Sequence, residues 1–153
     1  MKSLALLVIA AVLAQGSADV RHAGAEEQTW ALEVLEQLNA ARAEEGVGAL
    51  TLNPSLSLLA LQHAAEMSRR GIVTHHSFEY GIGTQTRVKI AFPRVYQFAE
   101  NVGVNGDPER LHRGMMLSPR HRINRMDPSF THVGIGVVRQ RGELFATEVY
   151  AVW

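Results

Sequence analysis

GELFATEVYAVW, residues 142–153, is apolar at both sets of alternate positions: Leu144, Ala146, Tyr150 and Val152 against Phe145, Val149, Ala151 and Trp153. Side chains alternate between the two faces of a strand, so a strand that is apolar on both must be covered on both. This stretch predicts a central strand with one layer above it and one below. Glu148 is the exception, because a buried carboxylate is costly unless paired or hydrogen-bonded. It needs a partner, either a helix end or an arginine.

Working outward, a second strand at 131–139 connects through Gln140, Arg141 and Gly142. Gly134 and Gly136 share one of its faces and leave a groove that a helix, or a ligand, can approach closely. Ser118 with Pro119 opens a short helix that holds His121, and Asp107 with Pro108 opens another. VYQFAENVGV, 95–104, alternates as a strand with Tyr96, Phe98, Glu100 and Val102 on one face. Nearer the N-terminus, 29–45 forms an amphipathic helix through Trp30, Val34, Leu38 and Ala41, ending at Gly46. A second helix has Asn53 as its cap, Pro54 in its first turn, Leu56, Leu59, Ala60, His63, Ala64 and Met67 at helical spacing, and Gly71 as its stop. Between 72 and 83 periodicity fails, so a loop carrying THHS (74–77) leads into a short helix that Thr84 caps and Pro93 ends. The class is α+β, a small and mainly antiparallel sheet between helical layers.

MKSLALLVIAAVLAQGSA, 1–18, has one cation, a short apolar run and small residues at its end, the pattern of a cleavable secretory signal and not of a membrane anchor. Cleavage is expected after Ala18, with Ala25 as the weaker choice. A polar linker, 19–28, then precedes one domain, 29–153. Without Lys2, the 15 Lys and Arg become 14 against 15 Asp and Glu, so no global charge attracts nucleic acid or membrane. The arginines at 110, 113, 120, 122 and 125 lack interleaved aromatics and read as a solvated face. The chain has no cysteine, which excludes disulfides, thiolate ligands and a cysteine nucleophile together.

No GxSxG elbow, HExxH helix, phosphate loop or EF-hand is present. A site must therefore be assembled from separate segments, and His75, His76, Glu100, His121 and Glu148 are the polar residues in awkward positions. For Glu148 a structural hydrogen bond competes with a role in a site. His63 lies on an apolar stripe and reads as a core histidine, and His112 and His132 read as ordinary polar residues. Ser77, the nearest nucleophile, reads more readily as a loop hydroxyl.

LNAARAEEGVGAL, the THHS loop, AENVG, SPRHRINRMDPSFTHVGIGV and TEVYA, in this order and spacing, resemble the bacterial branch of the CAP superfamily, the SCP-like extracellular proteins. The resemblance covers about residues 33–153. It implies a three-layer α-β-α sandwich with a cleft lined by two histidines and acidic residues. The family's loop histidine falls on His75, its strand glutamate on Glu100 and its helix histidine on His121. Ala99, Arg120 and Met115 depart from the family's glycine, glycine and tryptophan, and Glu148 stands where relatives have glutamine. The implied function is a secreted, monomeric module that binds a small molecule, lipid or peptide in the cleft through His75, Glu100, His121 and Glu148. Zn²⁺ or another divalent ion on His75 and His121 is the implied cofactor. The alternative is a hydrolase in which Glu100, His75 and His121 act as metal-assisted or metal-free acid and base. Family membership alone does not imply an enzyme.

Overall fold

A computed structural model describes residues 24–153. The expected leader, 1–18, and the first half of the expected linker, 19–23, lie outside the described residues. The elements in chain order are α1 (Ala25–Glu44), β1 (Thr51–Leu52), α2 (Pro54–Arg70), α3 (Thr84–Ala91), β2 (Gln97–Asn105), α4 (Pro108–Leu117), α5 (Pro119–Arg125), β3 (His132–Gln140) and β4 (Glu143–Val152).

The sheet runs β1-β3-β4-β2, with β4 antiparallel to both long neighbours. Its two apolar faces are covered as the closing stretch requires. On one side Leu144, Ala146 and Tyr150 pack with Val34 and Leu38 of α1 and with Leu111 and Met115 of α4. On the other, Val149 and Ala151 pack with Leu56 and Ala60 of α2 and with Val88 of α3. The result is the α-β-α sandwich.

The glycine groove of β3 is filled by α2. A Cβ on Gly134 would lie 2.1 Å from the Leu56 carbonyl carbon, and one on Gly136 would lie 2.1 Å from the Leu61 nitrogen. Helix backbone therefore rests directly against strand backbone. Asn53 caps α2 by accepting from the Ser55 and Leu56 N–H groups at 3.0 Å each, and Gly71 ends it at φ 67° in the left-handed region.

Three elements differ from expectation. First, α1 begins at Ala25 and not Thr29, so residues 25–28 of the expected linker are its first turn. Glu26 and Glu27 favour a helix N-terminus, while apolar periodicity starts only where the helix meets the sheet. Second, β1 pairs parallel with His132 and Val133, and two residues are too few to alternate visibly. Third, β2 starts at Gln97, and Tyr96 is 83% exposed, not turned inward with Phe98 and Glu100.

Arg42, with no exposure, ties the end of α1 to the segment before β3. Its guanidinium donates to the carbonyls of Gly48 (2.7 Å), Arg125 (2.6 Å), Asp127 (3.2 Å) and Phe130 (3.3 Å). This satisfies a buried loop's backbone with one side chain.

Candidate functional site at the edge of β2

The loop between α2 and α3 presents His75 with its side chain 58% exposed. Its Nδ1 lies 2.9 Å from Oε1 of Glu100. An ionised carboxylate only accepts, so Nδ1 carries a proton, and in the neutral ring Nε2 is the nitrogen that keeps its lone pair. Among the described residues Nε2 has no hydrogen-bond partner, and it points away from the carboxylate that fixes the ring.

Glu100 itself is buried. Oε1 also accepts from the Thr84 hydroxyl at 2.6 Å, and Oε2 accepts from Nη2 of Arg87 at 2.8 Å. Burial pushes this carboxyl up, but the His75 hydrogen bond, the Arg87 charge and the Thr84 hydroxyl outweigh burial and hold it below the usual carboxylate range. Both oxygens are thus committed to protein partners. Glu100 orients a histidine and is not an open ligand.

His121 approaches from α5. Burial lowers its pKa below the ordinary imidazole value; Glu148 opposes this, while neighbouring His75 and Arg125 add to it. The ring is therefore neutral at pH 7. Asn101 holds the backbone beneath it, donating from Nδ2 to the His121 carbonyl at 3.1 Å and to Oε2 of Glu148 at 3.2 Å. Asn124 closes the arrangement by donating to Oδ1 of Asn101 at 2.8 Å.

Glu148 does not join the cleft. In register it opposes Asn101, whereas Glu100 opposes Val149, so the two carboxylates point to opposite faces of the sheet. Glu148 has no exposure and pairs with Arg125 at 2.5 Å and with the Tyr150 hydroxyl at 2.5 Å. Burial raises its pKa, but the Arg125 charge and the hydrogen bonds from Arg125, Tyr150 and Asn101 bring it below the usual range. The anticipated arginine partner is present. Through Arg125 this pair anchors the helix that carries His121, and no ligand can reach the carboxylate. Arg125 also donates to Nδ1 of His112 at 3.0 Å, a structural use for that histidine.

The remaining candidates separate cleanly. Ser77 is 1% exposed, and its hydroxyl accepts from the Tyr80 N–H at 3.2 Å, so it is a loop hydroxyl and not a nucleophile. His76 is exposed and bridges to Gly83. His63 is a core histidine whose Nε2 donates to the Thr74 carbonyl at 2.7 Å, while its buried Nδ1 makes no hydrogen bond and lies 3.8 Å from Oε2 of Glu66. Burial, followed by the Arg87 charge, lowers its pKa. Thr84 is not a cap: Gly83 occupies that position, and the hydroxyl turns to Glu100. Arg87, Thr84 and Asn101 were not candidates from sequence. The short segment TQTRVKIA has no dominant periodicity to mark Arg87 as inward, and Asn101 shows its role only once the register is known.

An open groove of about 500 Å³ lined by Met116, Leu117, Pro119, Arg122, Ile123 and Met126 lies along the α4–α5 corner. It contains neither His75 nor Glu100. No described helix is long and apolar enough to cross a membrane.

The model of the CAP (cysteine-rich secretory protein) family matches residues 35–152. The chain is 32% identical over 107 residues to the uncharacterized protein YkwD of Bacillus subtilis (strain 168), covering 69% of this chain and 41% of that protein. It thus spans about two fifths of that relative's length. An extracellular SCP-domain protein of Bacillus anthracis str. Ames superposes with a TM-score of 0.74 at 20% identity, over 83% of this chain and 41% of that one. An outer surface protein of Borrelia burgdorferi gives 0.70 at 14% identity, over 76% and 87%. With the sandwich built and the family's loop, strand and helix motifs meeting at one sheet edge, this cysteine-free chain belongs to the CAP family.

Proposed function

We propose that the chain is an exported CAP module that binds a ligand at the edge of β2 through His75 and His121, and that it is not a catalyst. The observation that carries this is the His75–Glu100 pair: a buried carboxylate fixes the imidazole so that Nε2 faces solvent as an acceptor. A ligand with a protic group, or a metal ion, suits that nitrogen. Export rests on the leader pattern at 1–18 and is supported by the extracellular and outer-surface descriptions of two fold neighbours.

A divalent ion fits only in part. Two neutral imidazoles, one backed by a carboxylate, are good zinc donors. Glu100 is committed elsewhere, and no group of three His, Cys, Asp or Glu among the described residues is arranged to hold an ion. His75 and His121 would therefore hold zinc weakly, with other positions completed by water or ligand. When bound, such an ion would supply Lewis acidity toward a ligand oxygen.

The hydrolase reading keeps one supporting observation, since a carboxylate-backed imidazole is also a general base. Any nucleophile would be water, because Ser77 is buried.

Calorimetric titration of purified protein with Zn²⁺ tests the binding reading. Binding in the parent that is lost in both His75→Ala and His121→Ala, and kept in His76→Ala, supports it. Equal binding by all three variants overturns the shared metal site. Turnover of peptides or esters by the parent and not by His75→Ala would favour the hydrolase.

A further inference from the structure

The loop from Ile72 to Gly83 has little regular structure, yet His75 within it is held at three points by side chains from both flanking helices. Nε2 of His63, from α2, donates to the carbonyl of Thr74 at 2.7 Å. Nη2 of Arg87, from α3, donates to the carbonyl of His75 at 3.3 Å, and the Thr84 hydroxyl lies 3.3 Å from the same oxygen. The Thr74 N–H meets Sδ of Met67 at 3.4 Å. His63 and Arg87 are 2% and 7% exposed, so water cannot readily replace either donor.

These contacts do more than stabilise a loop. Arg87 joins the main chain of His75 to the carboxylate that holds its ring, because the same Nη2 reaches Glu100 Oε2 at 2.8 Å. His63 fixes the preceding peptide plane, which sets the direction from which the His75 side chain departs. Both residues leave polar atoms without a hydrogen bond to do so: Nδ1 of His63, whose nearest charge is Oε2 of Glu66 at 3.8 Å, and Nε and Nη1 of Arg87 are buried with none. Unpaired buried polar atoms carry a real cost, and here they belong to the two side chains that grip the loop.

We propose that His63 and Arg87 are positioning residues, one from each flanking helix, that set the orientation of His75 and leave Nε2 as its only available ring nitrogen. The proposal deepens the binding reading above and rests on His75 being the binding residue. Neither His63 nor Arg87 touches a ligand. A Lys at 87 would keep the charge but lose the planar guanidinium whose rigid Nη2 reaches both His75 and Glu100.

The test reads the His75 ring without any ligand. Imidazole ¹⁵N NMR at neutral pH should find His75 of the parent in the Nδ1–H form. His63→Leu, Arg87→Lys and Thr84→Val should each lose that signature for a mixed-tautomer spectrum, while His63→Gln, which keeps a donor near Nε2, should restore it. Near-ultraviolet circular dichroism confirms that each variant is folded, and Thr84→Val is the mildest change should the core variants fail to fold. A folded His63→Leu or Thr84→Val with the parent's His75 tautomer would overturn the proposal. Loss of Zn²⁺ or ligand binding in the parent would instead count against the binding reading and leave the tautomer result intact.

Discussion

Glu100 and Asn101 are consecutive residues of an edge strand, and they serve the two site histidines from opposite faces of the sheet. Oε1 of Glu100 accepts a hydrogen bond from Nδ1 of His75 at 2.9 Å, while Nδ2 of Asn101 donates to the main chain of His121 at 3.1 Å. Strand alternation sends neighbouring side chains apart, and only at an edge can the groups they hold meet again around the strand. β2 has one neighbour, β4, which makes that meeting possible.

Glu100→Gln should destabilise the fold by about 3 kcal/mol, because it leaves the Arg87 guanidinium buried without a counter-charge. Urea denaturation of parent and variant measures it. A loss below about 1 kcal/mol would mean that the Arg87–Glu100 pair is better solvated than its burial indicates.

Glu148→Gln should be at least as damaging, about 3 kcal/mol or more, since Arg125 has no exposure and pairs with no other carboxylate among the described residues. Replacing both partners, as Arg125→Met with Glu148→Leu, should cost less than the two single changes summed. A double-mutant cycle by chemical denaturation decides it; additive losses would contradict direct pairing.

Acid should weaken the parent through the same group. The folded pKa of Glu148 is below its ordinary value, so its stabilisation is complete above the ordinary carboxylate value and is lost as pH falls through the lower folded one. Asn101→Asp should behave oppositely. It buries a second carboxylate against Glu148, costs about 3 kcal/mol at pH 7, and regains stability on mild acidification as that group protonates. Stability measured from pH 7 down to about pH 2 separates the two signs, the variant gaining on mild acidification and the parent losing below the ordinary carboxylate value.

Gly136→Ala should force α2 away from the sheet, at a cost of about 3 kcal/mol, because the new methyl meets main-chain atoms that cannot rotate aside. Gly48→Ala, where nothing lies within 4 Å, is the control and should stay within about 0.5 kcal/mol of the parent. Thermal melting of both shows whether the contact is as close as described.

Much of the scaffold was legible because it obeys local rules. The double-sided apolarity of 144–153 required two covering layers, Asn53 and Asp107 cap as their side-chain chemistry suggests, and Glu148 needed a partner, a helix end or an arginine, of which the structure has the arginine. The site was legible as residue types, His75, Glu100 and His121, through motif resemblance and not through periodicity. What could not be read was the relation between strands. Glu100 and Glu148 are separated by the pairing of β2 with β4, and a shift of one residue would have put both on one face. Without that register, Glu148 looked able to reach the cleft. Arg87 escaped notice, and Thr84 looked like a cap, because eight residues of mixed character do not reveal which side of a short helix turns inward.

The central claim is that His75 and His121, delivered around one strand edge, act on a single ligand. Imidazole NMR of the parent during Zn²⁺ addition tests it most directly. The account predicts that Nε2 of His75 and the ring of His121 shift together at the same ion concentration, while His76 and His132 do not follow. It also predicts that the response weakens on acidification, because a protonated imidazole nitrogen cannot coordinate an ion. Separate responses of the two rings, or equal shifts at every exposed histidine, would contradict it.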